Sequence, residues 1–322
     1  MSNNLSSKKV VLFGAGNMGV EYSKVLKHLG AADYSVVGRS AVGVDQFHSL
    51  TGLKAVPNGF PGWERQCEPD AEFAIVAVSV EELSKTAIDL MNFGLRKILL
   101  EKPAGLNPEE IKLVRDKAEK TGTKIIVGYN RRFYASVLKA QEIIKAEGGA
   151  KSFNFEFSEW VHLIPGKIID IVKKNWFLAN STHVIDMAFF LGGKPKEIKS
   201  FVSGGCDWHP AATVFSGAGT SENGALFSYQ ANWFAPGRWG VEVLTDDSRL
   251  IFRPLEKLQV QRNRSVAIDF IEIDGLLDEN FKPGLFKQTE FFLSDVDHPN
   301  FLTIDEHYEN VVNHYQKIVK PE

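Results

Sequence analysis

Cysteine is almost missing from this chain: Cys67 and Cys206 are the only two in 322 residues. Two are too few for a disulfide framework and suit a reducing compartment. Cys206 and His209 stand three apart without a second ligand pair nearby, so neither zinc nor any other metal is expected. An excess of positive charge is also missing. Lys and Arg number 37 against 40 Asp and Glu, a formal net charge of -3, which excludes the cationic surface that a nucleic-acid backbone or an anionic bilayer requires. No apolar run approaches the roughly 18 residues of a membrane helix. Met1 to Lys9 is polar, and Val10 to Phe13 is too short for the core of a signal peptide. A cytoplasmic protein with no nucleic-acid or membrane partner is expected, and no internal repeat is visible.

What is present is patterned in two ways. The length exceeds what one hydrophobic core usually organises, so two domains are expected; 44% hydrophobic and 24% charged residues are globular values. Short apolar runs at Val10 to Phe13, Ser35 to Val37, Phe73 to Val78, Lys97 to Leu100 and Lys124 to Val127 alternate with helical spacing over Met18 to Leu29, Glu81 to Phe93 and Pro108 to Lys120. That alternation predicts an α/β, doubly wound parallel sheet. A helix from Phe133 to about Glu147 follows, and Gly148-Gly149 marks a change of architecture. Strands are then predicted at Ser152 to Trp160, Glu197 to Val202, Gly224 to Trp233, Val241 to Thr245 and Arg249 to Phe252, which implies an α+β region on a large, mostly antiparallel open sheet. Helices are predicted at Ser181 to Leu191, Leu285 to Leu293 and Ile304 to Ile318. Gly217-Ala218-Gly219, lying among Ser, Thr and Asn, reads as a loop. Residues 1–127 and 128–322 are the expected domains.

The first predicted strand runs into Gly14-Ala15-Gly16-Asn17-Met18-Gly19, which opens a helix. G-x-G-x-x-G in that context is the fingerprint of a Rossmann dinucleotide site. Gly14 permits the sharp turn, Gly16 lets backbone approach a pyrophosphate, and Gly19 brings the helix onto the sheet, while the helix N-terminus offers N–H groups to the phosphates. An NAD site usually carries Asp or Glu about 20 residues later. Here the second strand ends in Gly38-Arg39-Ser40, a guanidinium and a hydroxyl with no carboxylate, which favours NADP(H) over NAD(H). Arg39 as a mere solvated loop residue is the competing reading. Val78 and Ser79, at the end of the next predicted strand, join the expected cofactor contacts.

Glu101-Lys102-Pro103 ends a predicted strand, and open α/β sheets bind ligands beyond their carboxyl ends. Pro103 restricts Lys102 to extended backbone. A lysine shielded from water beside a cationic nicotinamide has its charged form disfavoured and suits proton exchange with a hydroxyl. The tripeptide alone fits a surface lysine equally well. Gly14 to Gly19, Glu101-Lys102-Pro103 and Gly128-Tyr129-Asn130-Arg131-Arg132-Phe133, in this order, resemble the glucose-fructose oxidoreductase, inositol dehydrogenase and MocA family over essentially the whole chain. The resemblance implies an N-terminal Rossmann domain with a C-terminal antiparallel-sheet domain, Lys102 at the reacting hydroxyl beside a frequently cis bond to Pro103, and Glu101, Arg132 and Tyr129 in the cofactor, substrate and interdomain region.

In Asn180-Ser181-Thr182-His183-Val184-Ile185-Asp186, His183 matches the family histidine. Capping by Asn180 or Ser181 would put His183 in the first helical turn, where the dipole disfavours imidazolium, and Asp186 would orient its ring. A histidine beside an apolar helix is otherwise structural. Many members carry aspartate four residues before this histidine, where this chain has Ala179. Trp160, His162, Lys173, Asn175 and Trp176 are candidates for a substrate pocket, with Trp160, Trp176 and Asn180 the expected contacts beside Lys102, Tyr129 and His183. Trp233, Arg238 and Trp239 fall near predicted strands, where the resemblance implies a homodimer or homotetramer contact through the C-terminal sheet. The expected activity is hydride transfer between NADP(H) or NAD(H) and a hydroxyl or keto carbon of a sugar, cyclitol or nucleotide sugar. Lys102, His183 and Asp186 are the expected catalytic residues. A non-catalytic dinucleotide-binding regulator and a redox-assisted lyase or glycosidase with tightly held cofactor are the alternatives.

Overall fold

The computed structural model describes residues 5–31, 33–66, 71–164, 166 and 168–320; Cys67 lies outside them. The chain forms two compact units, Met1–Asn130 with Asn280–Tyr308, and Arg131–Glu279 with Glu309–Glu322.

The first unit opens with β1 (Lys9–Phe13), α1 (Asn17–His28), β2 (Asp33–Val37), α2 (Ala41–Thr51), β3 (Ala55–Val56) and α3 (Gly59–Glu64). It continues with β4 (Phe73–Val76), α4 (Leu83–Phe93), β5 (Lys97–Leu100), α5 (Pro108–Thr121) and β6 (Lys124–Val127). These strands are parallel neighbours in the order β6-β5-β4-β1-β2-β3. All four residues of β4 are wholly buried, as continuous apolar runs require when helices cover both faces of a sheet. α5 shows how local chemistry sets an element's ends. The Asn107 side chain accepts from Glu110 N at 2.9 Å, Pro108 occupies the first turn, and Gly122 closes the helix at φ 65°, in line with capping preferences. α2 is absent from the predicted elements because Val42-Gly43-Val44 is poor in helix propensity. It forms behind an N-cap, the Ser40 hydroxyl accepting from Gly43 N at 3.1 Å.

The second unit holds α6 (Ala135–Ala146), β7 (Ser152–Glu156), α7 (Asp170–Lys174), α8 (Thr182–Gly192), β8 (Pro195–Ser203) and β9 (Val214–Ser221). β10 (Leu226–Asn232), β11 (Gly240–Leu244), β12 (Ser248–Phe252), β13 (Gln259–Arg262), β14 (Ile268–Phe270) and α9 (Leu276–Asn280) follow. The eight strands lie in the order β14-β13-β12-β11-β7-β10-β9-β8 and are antiparallel neighbours except for the parallel pair β7 and β10. That pair is laced by aromatic rings at alternate positions: Phe153 stacks on Phe227 at 5.2 Å and Phe155 on Tyr229 at 5.2 Å, with Phe189 of α8 set against Phe155 at 5.4 Å. Cross-strand aromatic pairs of this kind hold a sheet together.

Two expectations change here. Gly217-Ala218-Gly219 is not a loop but the middle of β9. A Cβ on Gly217 would stand 2.3 Å from the Tyr229 hydroxyl, and one on Gly219 2.0 Å from the Glu197 carbonyl oxygen. The glycines make room for rings crossing from β10, so their composition reflects packing rather than a turn. Nor does one boundary near residue 127 divide the chain. Residues 280–308 return to the first unit as α10 (Leu285–Leu293), β15 (Leu302–Thr303) and most of α11 (Ile304–Asn310), and α12 (Gln316–Val319) closes the second unit against β8. β15 pairs antiparallel with β6 and covers a sheet edge that would otherwise expose unpaired backbone groups; the His28 ring of α1 meets Phe281 at 5.2 Å and Phe286 at 5.5 Å. Among the described residues no helix is long and apolar enough to cross a membrane.

Candidate active site

At the end of β1 the backbone turns through Gly14 at φ 126°. A Cβ on Gly14 would lie 2.2 Å from the Ala77 carbonyl oxygen, and one on Gly19 1.9 Å from the carbonyl oxygen of Gly14. Main-chain atoms forbid any side chain at either place, and the turn is thereby pressed against the end of β4 and α1 against the turn. Gly16 is different, because nothing lies within 4 Å of its Cβ position. It is the N-cap of α1, so the helix begins at an open backbone position that no cap side chain occupies. That cradle fits a pyrophosphate, which helix N-termini bind through their first N–H groups and partial charge. β1 lies between β2 and β4, the point where strand order reverses and open sheets place ligands. Asn17 and Met18 border a cavity of about 320 Å³ on the outer side of α1.

Arg39 follows β2 with its guanidinium exposed and 3.6 Å from Glu81. The Ser40 hydroxyl caps α2, accepting from Gly43 N at 3.1 Å. The segment after β4 thus supplies a carboxylate that the end of β2 lacks; Ser79, exposed beside half-buried Val78, donates to Glu81 at 2.7 Å.

Beyond β5, the Lys102-Pro103 peptide is cis, as the family resemblance implies. The half-buried Lys102 sits in a turn held at several points. Ala104 N donates to Glu101 O at 3.1 Å, the Tyr22 hydroxyl donates to the Glu101 carboxylate at 2.8 Å, and the His307 ring bonds Pro103 O through Nε2 at 2.9 Å. Burial pushes the Glu101 carboxyl up while Tyr22, Lys102 and Lys282 draw it down. Glu101, expected at the cofactor, thus has one carboxylate oxygen tied to Tyr22 behind this turn. Tyr129, expected at the substrate, is 1% exposed with its ring 5.4 Å from that of His307.

In the second unit α8 has no free N-terminus. Phe177–Ser181 form a π-helical turn that runs into it, and Ser181 is itself helical at φ -63°, ψ -27° without a cap bond. The expected capping and its dipole effect on His183 fail because helical peptides precede the histidine. The Asn180 amide and Ser181 hydroxyl instead donate to the Glu159 carboxylate at 2.9 and 2.7 Å. The extra residue of a π-turn re-aims side chains in this manner. Ala179 is buried in the same turn.

Asp186 does not serve as the orienting partner of His183. Its oxygens take a bidentate pair from Arg132, Nε at 2.8 Å and Nη2 at 2.7 Å, with the Tyr315 hydroxyl at 3.4 Å. Asp186 is 1% exposed and the Arg132 side chain 9%. Arg132, expected at the cofactor, is committed to this buried pair and lies over the Phe190 ring at 4.6 Å. Both residues anchor α8 because each neutralises the other where water is excluded.

His183 is half-buried with its ring 6.0 Å from that of Trp239. Arg131 and Arg238 lie over the Trp239 ring at 4.9 and 4.8 Å, and Arg238 also over Trp160 at 4.6 Å. Trp233, Arg238 and Trp239 belong to the connection between β10 and β11 rather than to strands. Glu159, absent from the expected site, is 3% exposed; burial pushes its carboxyl up, opposed by Ser181, Asn180, Arg238 and Trp176. The signal was partial parity. Glu159 extends the positions of Phe153, Phe155 and Phe157, although beyond β7 the alternation lapses, Glu156 and Ser158 being buried too; a buried carboxylate needs partners.

Residues 8–129 match the family described as oxidoreductase family, NAD-binding Rossmann fold (GFO_IDH_MocA). No curated protein matches the chain by sequence. Similar solved structures include a levoglucosan dehydrogenase in complex with NADH and L-sorbose, at 18% identity and TM-score 0.76 over 97% of this chain and 96% of that one. A UDP-N-acetylglucosamine 3-dehydrogenase from Acidithiobacillus ferrooxidans matches at 14% and 0.74 over 97% and 96%. A putative NADPH-dependent oxidoreductase from Desulfitobacterium hafniense matches at 17% and 0.77 over 96% and 95%. At these identities the likeness is one of fold.

Proposed function

We propose that this chain, whose residues 8–129 belong to the Gfo/Idh/MocA oxidoreductase family, is a nicotinamide-dependent dehydrogenase or reductase acting on a hydroxyl or keto carbon of a sugar, cyclitol or nucleotide-linked sugar. One observation carries the reading: at the switch point of a parallel sheet the glycine turn leaves open space at Gly16, the N-cap of α1. When bound, the nicotinamide coenzyme supplies the hydride chemistry. The Gly16 backbone and the first turn of α1 hold its pyrophosphate, and Lys102, on its anchored turn, exchanges a proton with the substrate hydroxyl. His183 is the second proton-handling group.

NADP(H) is the preferred coenzyme in this reading. The exposed Arg39 guanidinium and the start of α2 both suit a 2′-phosphate, while Glu81 tempers that preference by pairing with Arg39. Sugar-like substrates are supported by the names of the levoglucosan and UDP-N-acetylglucosamine dehydrogenases. A homodimer or homotetramer through the open sheet is supported by Phe201 and Leu226, 74% and 61% exposed on strands β8 and β10. The scarcity of cysteine suits the cytoplasm.

The deciding assay follows reduced-nicotinamide absorbance with NADP+ and NADPH across free sugars, inositols and nucleotide sugars. Lys102→Ala is expected to lower turnover by roughly 10²- to 10⁴-fold while retaining coenzyme binding. Equal turnover by both proteins would refute the role of Lys102, and coenzyme binding without any turnover by the wild type would favour a regulator.

A further inference from the structure

The second unit contains a cavity of about 570 Å³ bordered by two of the substrate-pocket candidates, Trp160 and His162, with neither Lys102 nor His183 among its lining residues. Its walls include Glu159, Trp160, His162, Trp208 and Phe234. Trp160 and Phe234 are 46% and 64% exposed, unusual for large rings beside a buried carboxylate. Trp208 is not free to swing. It stacks on the fully buried Trp233 with centroids 6.2 Å apart and planes 13° from parallel, and the His209 ring backs Trp233 at 4.8 Å. The Trp160 indole is fixed as well, its N–H donating to Gly237 O at 3.0 Å.

We propose that this cavity binds a neutral sugar ring, and that the ring is a second one carried by the substrate, which is then a glycoside or oligosaccharide rather than a lone monosaccharide. Only the assignment to the substrate rests on the dehydrogenase reading. The chemistry of the walls selects the ligand. Rigid indole faces suit the C–H faces of a pyranose, and a small number of fixed polar groups sets orientation in such pockets. Glu159 accepts one hydrogen bond from Asn180 and one from Ser181, and a carboxylate has about four acceptor sites. Even with the Trp176 indole turned toward it, it retains capacity for a donor, and sugar hydroxyls are donors. An anionic ligand is disfavoured by that carboxylate. A quaternary ammonium is disfavoured because Arg238 already lies over the Trp160 face. Self-association through this spot is disfavoured by its concavity and by the Glu159 carboxylate among its lining residues. Arg238 lies over both Trp160, at the cavity, and Trp239, whose ring is 6.0 Å from that of His183, and these contacts are the ground for assigning the second ring to the substrate.

The test is saturation-transfer NMR on the coenzyme-free full chain with cellobiose, maltose, methyl β-D-glucopyranoside and tetramethylammonium chloride, alongside sedimentation velocity. Saturable transfer to sugar ring protons is expected, with affinity at least tenfold weaker in Trp208→Ala, Phe234→Ala and Glu159→Gln. Phe234→Ala changes an exposed ring and guards against misfolding, and thermal melts verify each variant. Absence of saturable binding by every sugar overturns the proposal, as does binding that ignores all three substitutions. It is equally overturned if only tetramethylammonium binds, or if Phe234→Ala dissociates an oligomer while no sugar binds. Ring binding without coenzyme-linked turnover of any sugar would leave the cavity assigned and refute the dehydrogenase reading instead.

Discussion

Removing Asp186 separates a structural carboxylate from a catalytic one. In Asp186→Ala the Arg132 guanidinium loses its bidentate partner at 2.7 and 2.8 Å in a place where its side chain is only 9% exposed. An orphaned buried charge of this kind costs about 3–5 kcal/mol. For a unit of this size each kcal/mol lowers the melting temperature by roughly 2–4 °C, so the transition of the second unit is expected to fall by about 10 °C. Tyr315, whose hydroxyl donates to the same carboxylate at 3.4 Å, is neutral and cannot replace the lost negative charge. The double variant Arg132→Met with Asp186→Leu removes both charges and is expected to recover much of the loss, because apolar replacement of a whole buried pair is often neutral. Thermal and urea melts of the two variants read this directly. A single variant that melts with the wild type, or a double variant no better than the single, would refute the anchor and return Asp186 to the list of groups free for catalysis.

Three further outcomes are expected. Gly19→Ala places a Cβ 1.9 Å from the Gly14 carbonyl oxygen, so the turn must move, and calorimetric coenzyme affinity is expected to weaken at least about tenfold, or ~1.4 kcal/mol. Arg39→Ala is expected to raise KM for NADP by roughly tenfold and leave KM for NAD unchanged, with Glu81→Gln shifting the preference the opposite way; equal effects on both coenzymes would exclude a phosphate contact. Burial, with Lys194 and Lys317 nearby and Glu309 opposing, lowers the pKa of His314 to about 4. The stability linked to this neutral ring is complete above the ordinary histidine range and is lost as pH falls toward the folded value. Between about pH 7 and pH 4.5 that is ~2 kcal/mol after allowance for screening of the lysines. His314→Gln is expected to flatten this part of the pH dependence in urea melts, and an unchanged slope would exclude His314 as its source.

Local order carried much of this protein. Apolar runs of four or five residues between amphipathic stretches mark β1, β4, β5 and β6, because strands buried on both faces admit little else. The turn from Gly14 to Gly19 is legible because glycine is required at each close main-chain approach, Gly19 on Gly14 within the turn and Gly14 on Ala77 just beyond β4, and Lys102 is placed by the strand that precedes it. Tertiary structure decided the duties of the polar side chains. Arg132 and Asp186 are 54 positions apart, Tyr315 and Asp186 129, His307 and Pro103 204, and no periodicity in a single segment encodes such partners. The same holds for Glu81 beside Arg39 and for residues 280–308 returning to the edge of β6. An apolar residue declares its burial by type, whereas a buried charge is tolerable only beside a specific partner, and the fold alone determines which partner arrives.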